Sequence, residues 1–135
     1  MIFIDSDAFI GASVSTDPHN LSCERLFSVV EERDEDTFTS WEVVDEVITK
    51  LSYHVGRKTA LVFWKNLKNS NTRIVFVNGE MSKSVIEQFK KQTSKNVSLT
   101  DCANMIIAKE LEIDIFFSFD RHYKQNGFKL LGETI

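Results

Sequence analysis

The chain has 135 residues, of which 42% are hydrophobic and 27% charged, and this is typical of one soluble domain with its own apolar core. No apolar stretch reaches the roughly 18 to 20 residues that span a bilayer. The N-terminus lacks a signal-peptide pattern, so we expect a cytoplasmic protein. The net charge of −4 disfavours indiscriminate nucleic-acid binding, and two cysteines are too few for a disulfide framework.

Apolar runs typical of buried strands alternate along the chain with patterns typical of amphipathic helices. Strands are predicted at 2–4, 37–39, 74–77, 115–117 and 128–131. The first connection is predicted to hold a helical turn over 8–14 and a helix that starts at Asp17-Pro18. Later helices are predicted after Ser40, after Gly56, around 81–89, and after Ser98 or Thr100. This alternation predicts an α/β fold, a three-layer α/β/α sandwich with a central parallel sheet, formed as a single domain over residues 1–135.

Four acids are candidates for one site at the carboxyl edge of that sheet. Asp5 and Asp120 each follow a predicted strand, Asp101 opens a helix, and Glu46 lies within the helix that follows Ser40. Ligands of open parallel sheets bind beyond the carboxyl ends of the strands. Mg²⁺ prefers oxygen ligands, and paired divalent ions promote phosphodiester hydrolysis by activating water and stabilising the leaving oxygen.

Each acid also has a structural interpretation. Asp101 suits a first-turn position or a capping box with Ser98, which is its better explanation when it is considered alone. Glu46 suits an i,i+4 ion pair with Lys50, which is again the better explanation in isolation. Asp120 suits a turn as well as it suits a site. Asp5 is the strongest single candidate, because a charge directly after a buried strand is costly without a partner.

Several neighbours are candidates for supporting roles. Ser6 and Ser118 adjoin the two aspartates that end strands, and Asn104 lies one helical turn after Asp101. These side chains are candidates for orienting the carboxylates. Asp7 suits either a helix cap or the same metal site, and we favour the cap.

The chain resembles the PIN-domain family of metal-dependent ribonucleases, particularly the VapC-like toxins of toxin–antitoxin systems. Four segments carry the resemblance, and the family's usual trailing strand follows the last one. In order they are Ile2 to Ile10, Thr39-Ser40 with Glu46, Ser98 to Ala103, and Phe117 to Tyr123, with 127–131 as the trailing strand.

The resemblance implies a parallel sheet ordered 3-2-1-4-5 and a metal-binding quartet of Asp5, Glu46, Asp101 and Asp120. It further implies a divalent-metal-dependent endoribonuclease that uses Mg²⁺ or Mn²⁺, with an RNA substrate, an antitoxin partner and a homodimeric state. An antitoxin is expected to insert into the acidic cleft or to cover it. Basic side chains near the rim, such as Lys50, Arg121 or Lys124, are candidates for guiding the RNA, although for any one of them a solvated surface charge is the better explanation.

Two other functions are alternatives to the ribonuclease hypothesis. The segment Asp5-Ser6-Asp7 also looks like the start of a haloacid-dehalogenase-type phosphatase, in which the first acid is a nucleophile. The downstream segments do not supply the lysine and paired acids that such an enzyme needs. The third candidate is a catalytically silent PIN-like module that binds RNA or protein, which the presence of all four acids disfavours.

Overall fold

The computed structural model describes residues 1–135 and contains a five-stranded sheet. Its strands are β1 (Ile2–Ile4), β2 (Thr37–Ser40), β3 (Arg73–Val75), β4 (Ile115–Phe117) and β5 (Lys129–Leu130). They run parallel in the order β3-β2-β1-β4-β5, so the predicted α/β architecture and strand order are confirmed. In register, Phe3 of β1 lies between Phe38 of β2 and Phe116 of β4.

Seven α-helices flank the sheet. They are α1 (Ser6–Ser13), α2 (Asn20–Glu32), α3 (Trp41–His54), α4 (Arg57–Lys68), α5 (Gly79–Lys90), α6 (Leu99–Glu110) and α7 (His122–Gln125). A short 3₁₀ turn, Leu131–Glu133, follows β5. No helix combines the length and apolarity that crossing a membrane requires.

The central strand is buried on both faces, which explains its unbroken apolar sequence. Ile2, Phe3 and Ile4 are each at most 2% exposed. They belong to one core cluster of 32 buried residues that joins the sheet to the helices. Cys23 and Cys102 are buried free thiols in this core.

Polar caps fix where the helices begin at the carboxyl edge. Ser40 Oγ accepts a hydrogen bond from Val43 N at 3.0 Å, so the predicted cap of α3 is confirmed. Ser98 rather than Thr100 caps α6. The helical turn predicted over 8–14 is a full helix that begins two residues earlier, directly after Asp5, and ends one residue earlier.

Candidate metal centre

The four acids that the sequence singled out line one cleft at the carboxyl edge of the sheet. Asp5 follows β1, Asp120 lies three residues after β4, Asp101 is in the first turn of α6, and Glu46 is in the second turn of α3. The cleft has a volume of about 400 Å³. A larger groove of about 760 Å³ lies between α1, α2 and α4 but contains none of the four. We therefore assign the site to the smaller, acidic cleft.

Asp5 is the buried centre of the cleft, with 3% of its surface exposed. Its Oδ1 caps α1 by accepting a hydrogen bond from Ser6 N at 2.8 Å, and it lies 3.3 Å from Asn104 Nδ2. Its Oδ2 lies 3.0 Å from the Tyr123 hydroxyl and 3.3 Å from Ser118 Oγ. Both oxygens therefore have polar partners, which makes burial of this carboxyl group tolerable.

Asp7 also faces the cleft, and our preference for it as a helix cap was wrong. The N-cap of α1 is Asp5, and Asp7 lies in the first helical turn. Asp7 Oδ2 accepts a hydrogen bond from Phe119 N at 2.8 Å and contacts Ser118 Oγ at 3.1 Å. Its other oxygen, Oδ1, is buried and has no hydrogen-bond partner. An unpartnered buried carboxylate oxygen is costly, and a cation would satisfy it.

Three aspartates bring ligand atoms together in the cleft. Asp5, Asp7 and Asp120 each present an oxygen within 4.8 Å of the other two. Burial raises the pKa of Asp5 well above its usual range, and the charges of Asp7 and Asp101 raise it further. Burial likewise raises the pKa of Asp7 and of Asp120. Clustered oxygens that repel one another and resist ionisation fit a hard divalent cation, which would neutralise them.

Asp101 forms the predicted capping box and lies beside the three-aspartate cluster without belonging to it. It forms a capping box with Ser98, in which Ser98 N donates to Asp101 Oδ2 at 2.9 Å. Its Oδ1 lies 3.3 Å from the Tyr123 hydroxyl, which also contacts Asp5. Its Oδ2 lies 3.2 Å from His122 Nε2, an ion-pair distance without the alignment of a hydrogen bond.

Glu46 lines the cleft but is not part of the three-aspartate cluster. Its Oε1 forms the expected i,i+4 ion pair with Lys50 Nζ at 3.1 Å, and Lys50 also lines the cleft. The field of Glu46 nevertheless reaches the cluster, because its charge contributes to the raised pKa of Asp120. Glu46 therefore lies at the rim of the site in this arrangement.

The three predicted supporting residues all lie in or beside the cleft. Asn104 is fully buried and accepts a hydrogen bond from Ser40 Oγ at 2.7 Å while its amide faces Asp5. Ser118 contacts both Asp5 and Asp7, as described above. Ser6 contributes its backbone N–H to Asp5 and lines the cleft. Asn104 thus connects the start of α3 to the buried centre of the site.

Two residues of the site were missed by sequence reasoning, which assigned them no role. The Tyr123 hydroxyl bridges Asp5 and Asp101. The His122 imidazole lies between Asp101 and Asp120, with Nδ1 at 3.3 Å from Asp120 Oδ1. Both residues open α7, two and three residues after Asp120. The short distance in sequence between these two polar rings and Asp120 was the signal that could have indicated a role for them in the site.

Comparisons with known proteins identify the fold. The chain matches no protein-family model, and no curated protein matches its sequence. Among solved structures it is similar to Mycobacterium tuberculosis VapC20, a toxin described as cleaving the sarcin–ricin loop, with a TM-score of 0.85 and 18% identity. The match covers 95% of this chain and 96% of VapC20. The chain therefore has the fold of a VapC-like PIN domain.

Proposed function

We propose that this chain is a divalent-metal-dependent endoribonuclease that hydrolyses RNA phosphodiester bonds. The observation that carries the proposal is the cluster of Asp5, Asp7 and Asp120, in which one buried oxygen of Asp7 has no partner. Glu46 and Asp101 line the same cleft. The fold shared with VapC20 supports the hypothesis that this site is a nuclease site.

Mg²⁺ or Mn²⁺ is the proposed cofactor because every candidate ligand atom is a carboxylate oxygen. Asp5, Asp7 and Asp120 would hold the ion, with Asp101 and Glu46 beside it as further acids. This assignment differs from the quartet expected from the resemblance, because Asp7 would hold the ion while Asp101 and Glu46 would lie beside it. Such an ion lowers the pKa of water and stabilises the leaving oxygen of a phosphodiester.

The surrounding side chains prepare the acids for this task. The Tyr123 hydroxyl and the Asn104 amide fix the orientation of the Asp5 carboxyl group. His122 lies between Asp101 and Asp120, within 3.3 Å of a carboxylate oxygen of each. Lys50 is the cation that lines the cleft and is placed to attract a phosphate of the substrate.

RNA cleavage with and without added Mn²⁺ tests the proposal. Asp5→Asn retains an oxygen that can cap α1 but lowers the negative charge, so we expect a fold similar to the wild type and activity reduced by more than about 100-fold. Asp101→Asn should reduce activity in the same direction. Asp36→Asn is the matched control, because Asp36 is exposed and directly precedes β2 at the opposite edge of the sheet.

Three outcomes separate the candidate functions. Activity that survives the combined Asp5→Asn and Asp101→Asn substitutions excludes this mechanism. A phosphoaspartyl intermediate trapped at Asp5 identifies a phosphatase instead. Calorimetry that detects no Mn²⁺ binding at millimolar concentration supports a catalytically silent module.

A toxin role with an antitoxin partner in the cytoplasm is part of the proposal, and its support is the likeness to VapC20. Expression of the chain alone should arrest growth, and co-expression of a small partner protein from an adjacent gene should relieve the arrest. Growth unaffected by the wild-type chain, together with RNA cleavage in vitro, would leave a nuclease that is not a toxin.

A homodimer is also proposed. Its support is the exposure of apolar side chains on α5 and at the start of α6, where Ile86, Phe89 and Leu99 are each 45–47% exposed. Ile86→Lys together with Phe89→Lys should convert a dimer to a monomer in light scattering. Leu21→Lys on α2 is the control, since Leu21 is 80% exposed outside this surface.

A further inference from the structure

The basic residues of this acidic chain are concentrated in one segment. Between Glu46 and Glu80 the sequence holds six of the 16 Lys and Arg residues and none of the 20 acids. The segment comprises most of α3, all of α4 and β3. It therefore carries six positive charges, and the rest of the chain carries a net charge of −10. A separation of this size creates a local positive potential on an otherwise negative protein.

Helix α4 supplies four of these six cations, and none of the four forms an ion pair. Its four basic residues are exposed, and none lies within ion-pair distance of a carboxylate: Arg57, Lys58, Lys65 and Lys68. We call these four residues the α4 basic surface. On α5, by contrast, Lys83 and Lys90 each pair with a glutamate three residues earlier. Exposed cations without internal partners are available to an external anion.

The acidic cleft leads toward this surface. A neighbouring groove of about 670 Å³ shares Ile10, Asp17 and Lys50 with the cleft. The groove continues past His54, near the end of α3, to Thr59 in the first turn of α4. Arg57 and Lys58 directly precede Thr59 in that turn. A continuous depression therefore runs from the acids to the beginning of the α4 basic surface.

An aromatic ring lies among the cations of α4. Trp64 is half-buried, and Lys68 Nζ lies 5.5 Å from the centre of its ring. The ring also packs against Trp41 at a centroid distance of 6.2 Å, and Trp41 is 42% exposed. Cations interleaved with partly exposed aromatic rings are typical of surfaces that bind single-stranded nucleic acid.

We propose that the α4 basic surface binds the phosphate backbone of a single-stranded RNA segment that leads into the acidic cleft. The inference rests on the proposed function, since it concerns the substrate of the same site. The cluster of Asp5, Asp7 and Asp120 repels a polyanion, so initial attraction must come from cations elsewhere. The α4 basic surface provides these cations in positions joined to the cleft by the groove.

The test measures RNA affinity without turnover. The probe is a fluorescein-labelled, unstructured oligoribonucleotide of about 12 nucleotides, followed by anisotropy in EDTA between about 50 and 200 mM salt. The test variant replaces all four residues of the α4 basic surface with Ala. The control variant replaces four other exposed and unpaired cations with Ala and thus has the same net charge: Arg25, Arg33, Lys91 and Lys95.

Each phosphate contact with a single strand contributes about 0.7 to the slope of log affinity against log salt. Four lost contacts should therefore lower that slope by up to about 2.8, and two lost contacts should already weaken binding about 25-fold at 0.1 M salt. The control should retain a slope close to that of the wild type. A difference in slope of less than about 0.7 between the two variants overturns the inference.

The failure of this inference is distinguishable from failure of the proposed function. A wild-type chain that cleaves RNA with Mn²⁺, while the two variants bind RNA equally, refutes only the α4 basic surface. Absence of RNA binding by the wild type in EDTA also refutes it. Absence of both cleavage and binding refutes the nuclease proposal as well. A change in oligomeric state of the α4 variant without a change in RNA affinity would show that this surface binds protein.

Discussion

The hydroxyl group of Tyr123 offers a sharp test of how the acidic cleft is held together. The side chain is fully buried, and its ring stacks on Phe116 at a centroid distance of 4.1 Å. The hydroxyl lies 3.0 Å from Asp5 Oδ2 and 3.3 Å from Asp101 Oδ1, and it accepts a hydrogen bond from Asn104 Nδ2 at 3.2 Å. Tyr123→Phe removes these polar contacts and retains the ring.

The expected fall in the free energy of unfolding follows from the fact that the hydroxyl has a single proton. That proton can be donated to only one of the two carboxyl groups at a time, so one donated bond and the accepted Asn104 bond are lost in the variant. A hydrogen bond to a charged group contributes about 1.5–3 kcal/mol, and a neutral one about 1 kcal/mol. Since Asn104 retains its contact with Asp5, we expect the free energy of unfolding to fall by about 2 kcal/mol. For 135 residues this corresponds to a Tm lower by about 7 °C.

Thermal denaturation in EDTA, followed by circular dichroism, measures this change. Tyr53→Phe is the matched control, because Tyr53 is the other tyrosine of the chain and is 83% exposed. It should change the free energy of unfolding by less than about 0.5 kcal/mol. If Tyr123→Phe proves as harmless as Tyr53→Phe, the hydroxyl does not hold the two acids and the description of the site is wrong.

Other substitutions test the charge of the cleft and the packing beside it. Because the pKa of Asp7 is raised in the folded state, its contribution favours folding below the unfolded pKa near 3.9 and is lost as the pH rises through the folded value. In EDTA at pH 7, Asp7→Asn should therefore raise the Tm, and it should also weaken the increase in Tm that Mn²⁺ causes in the wild type. A Tm of Asp7→Asn below that of the wild type, both in EDTA and with Mn²⁺, would contradict this expectation. Gly11→Ala would place its Cβ 2.5 Å from Cys23 Sγ, so urea denaturation should show a loss of about 1–3 kcal/mol, and Cys23→Ala in the same chain should recover part of it. Burial raises the pKa of the Cys23 thiol to about 12, so native protein should resist iodoacetamide at pH 8, as read by mass spectrometry, and rapid labelling would show that the thiol is accessible.

Local patterns were sufficient to predict the sheet and the starts of two helices, α3 and α6. The unbroken apolar run of β1 indicates burial on both faces, and Ser40 and Ser98 stand where a capping hydroxyl is needed. The start of α1 was not predicted, because its cap, Asp5, was assigned to the site alone. Tertiary contacts override such local signals.

The convergence of the four acids was predictable from topology, but their individual contacts were not. Parallel strands must place Asp5 and Asp120 at the same edge, whatever the loops do. The role of Asp7 depends on a hydrogen bond from Phe119 N, which is 112 residues away in the chain. The bridging position of Tyr123 depends on α7 packing beneath the acids, and no periodicity in the sequence encodes that packing.

The electrostatics of the cleft favour a binding site over a purely structural role. Asp5 caps α1, and Asp101 completes a capping box, but each of these tasks requires only a neutral oxygen acceptor such as that of Asn or Ser. The negative charge adds only about 0.3–1 kcal/mol to a cap through the helix dipole. Burial makes the charge costly, and it raises the pKa values of Asp5, Asp7 and Asp120. A cation bound to these oxygens would remove the mutual repulsion and partner the free oxygen of Asp7. The charge of the cluster therefore supports the proposal that it binds a cation.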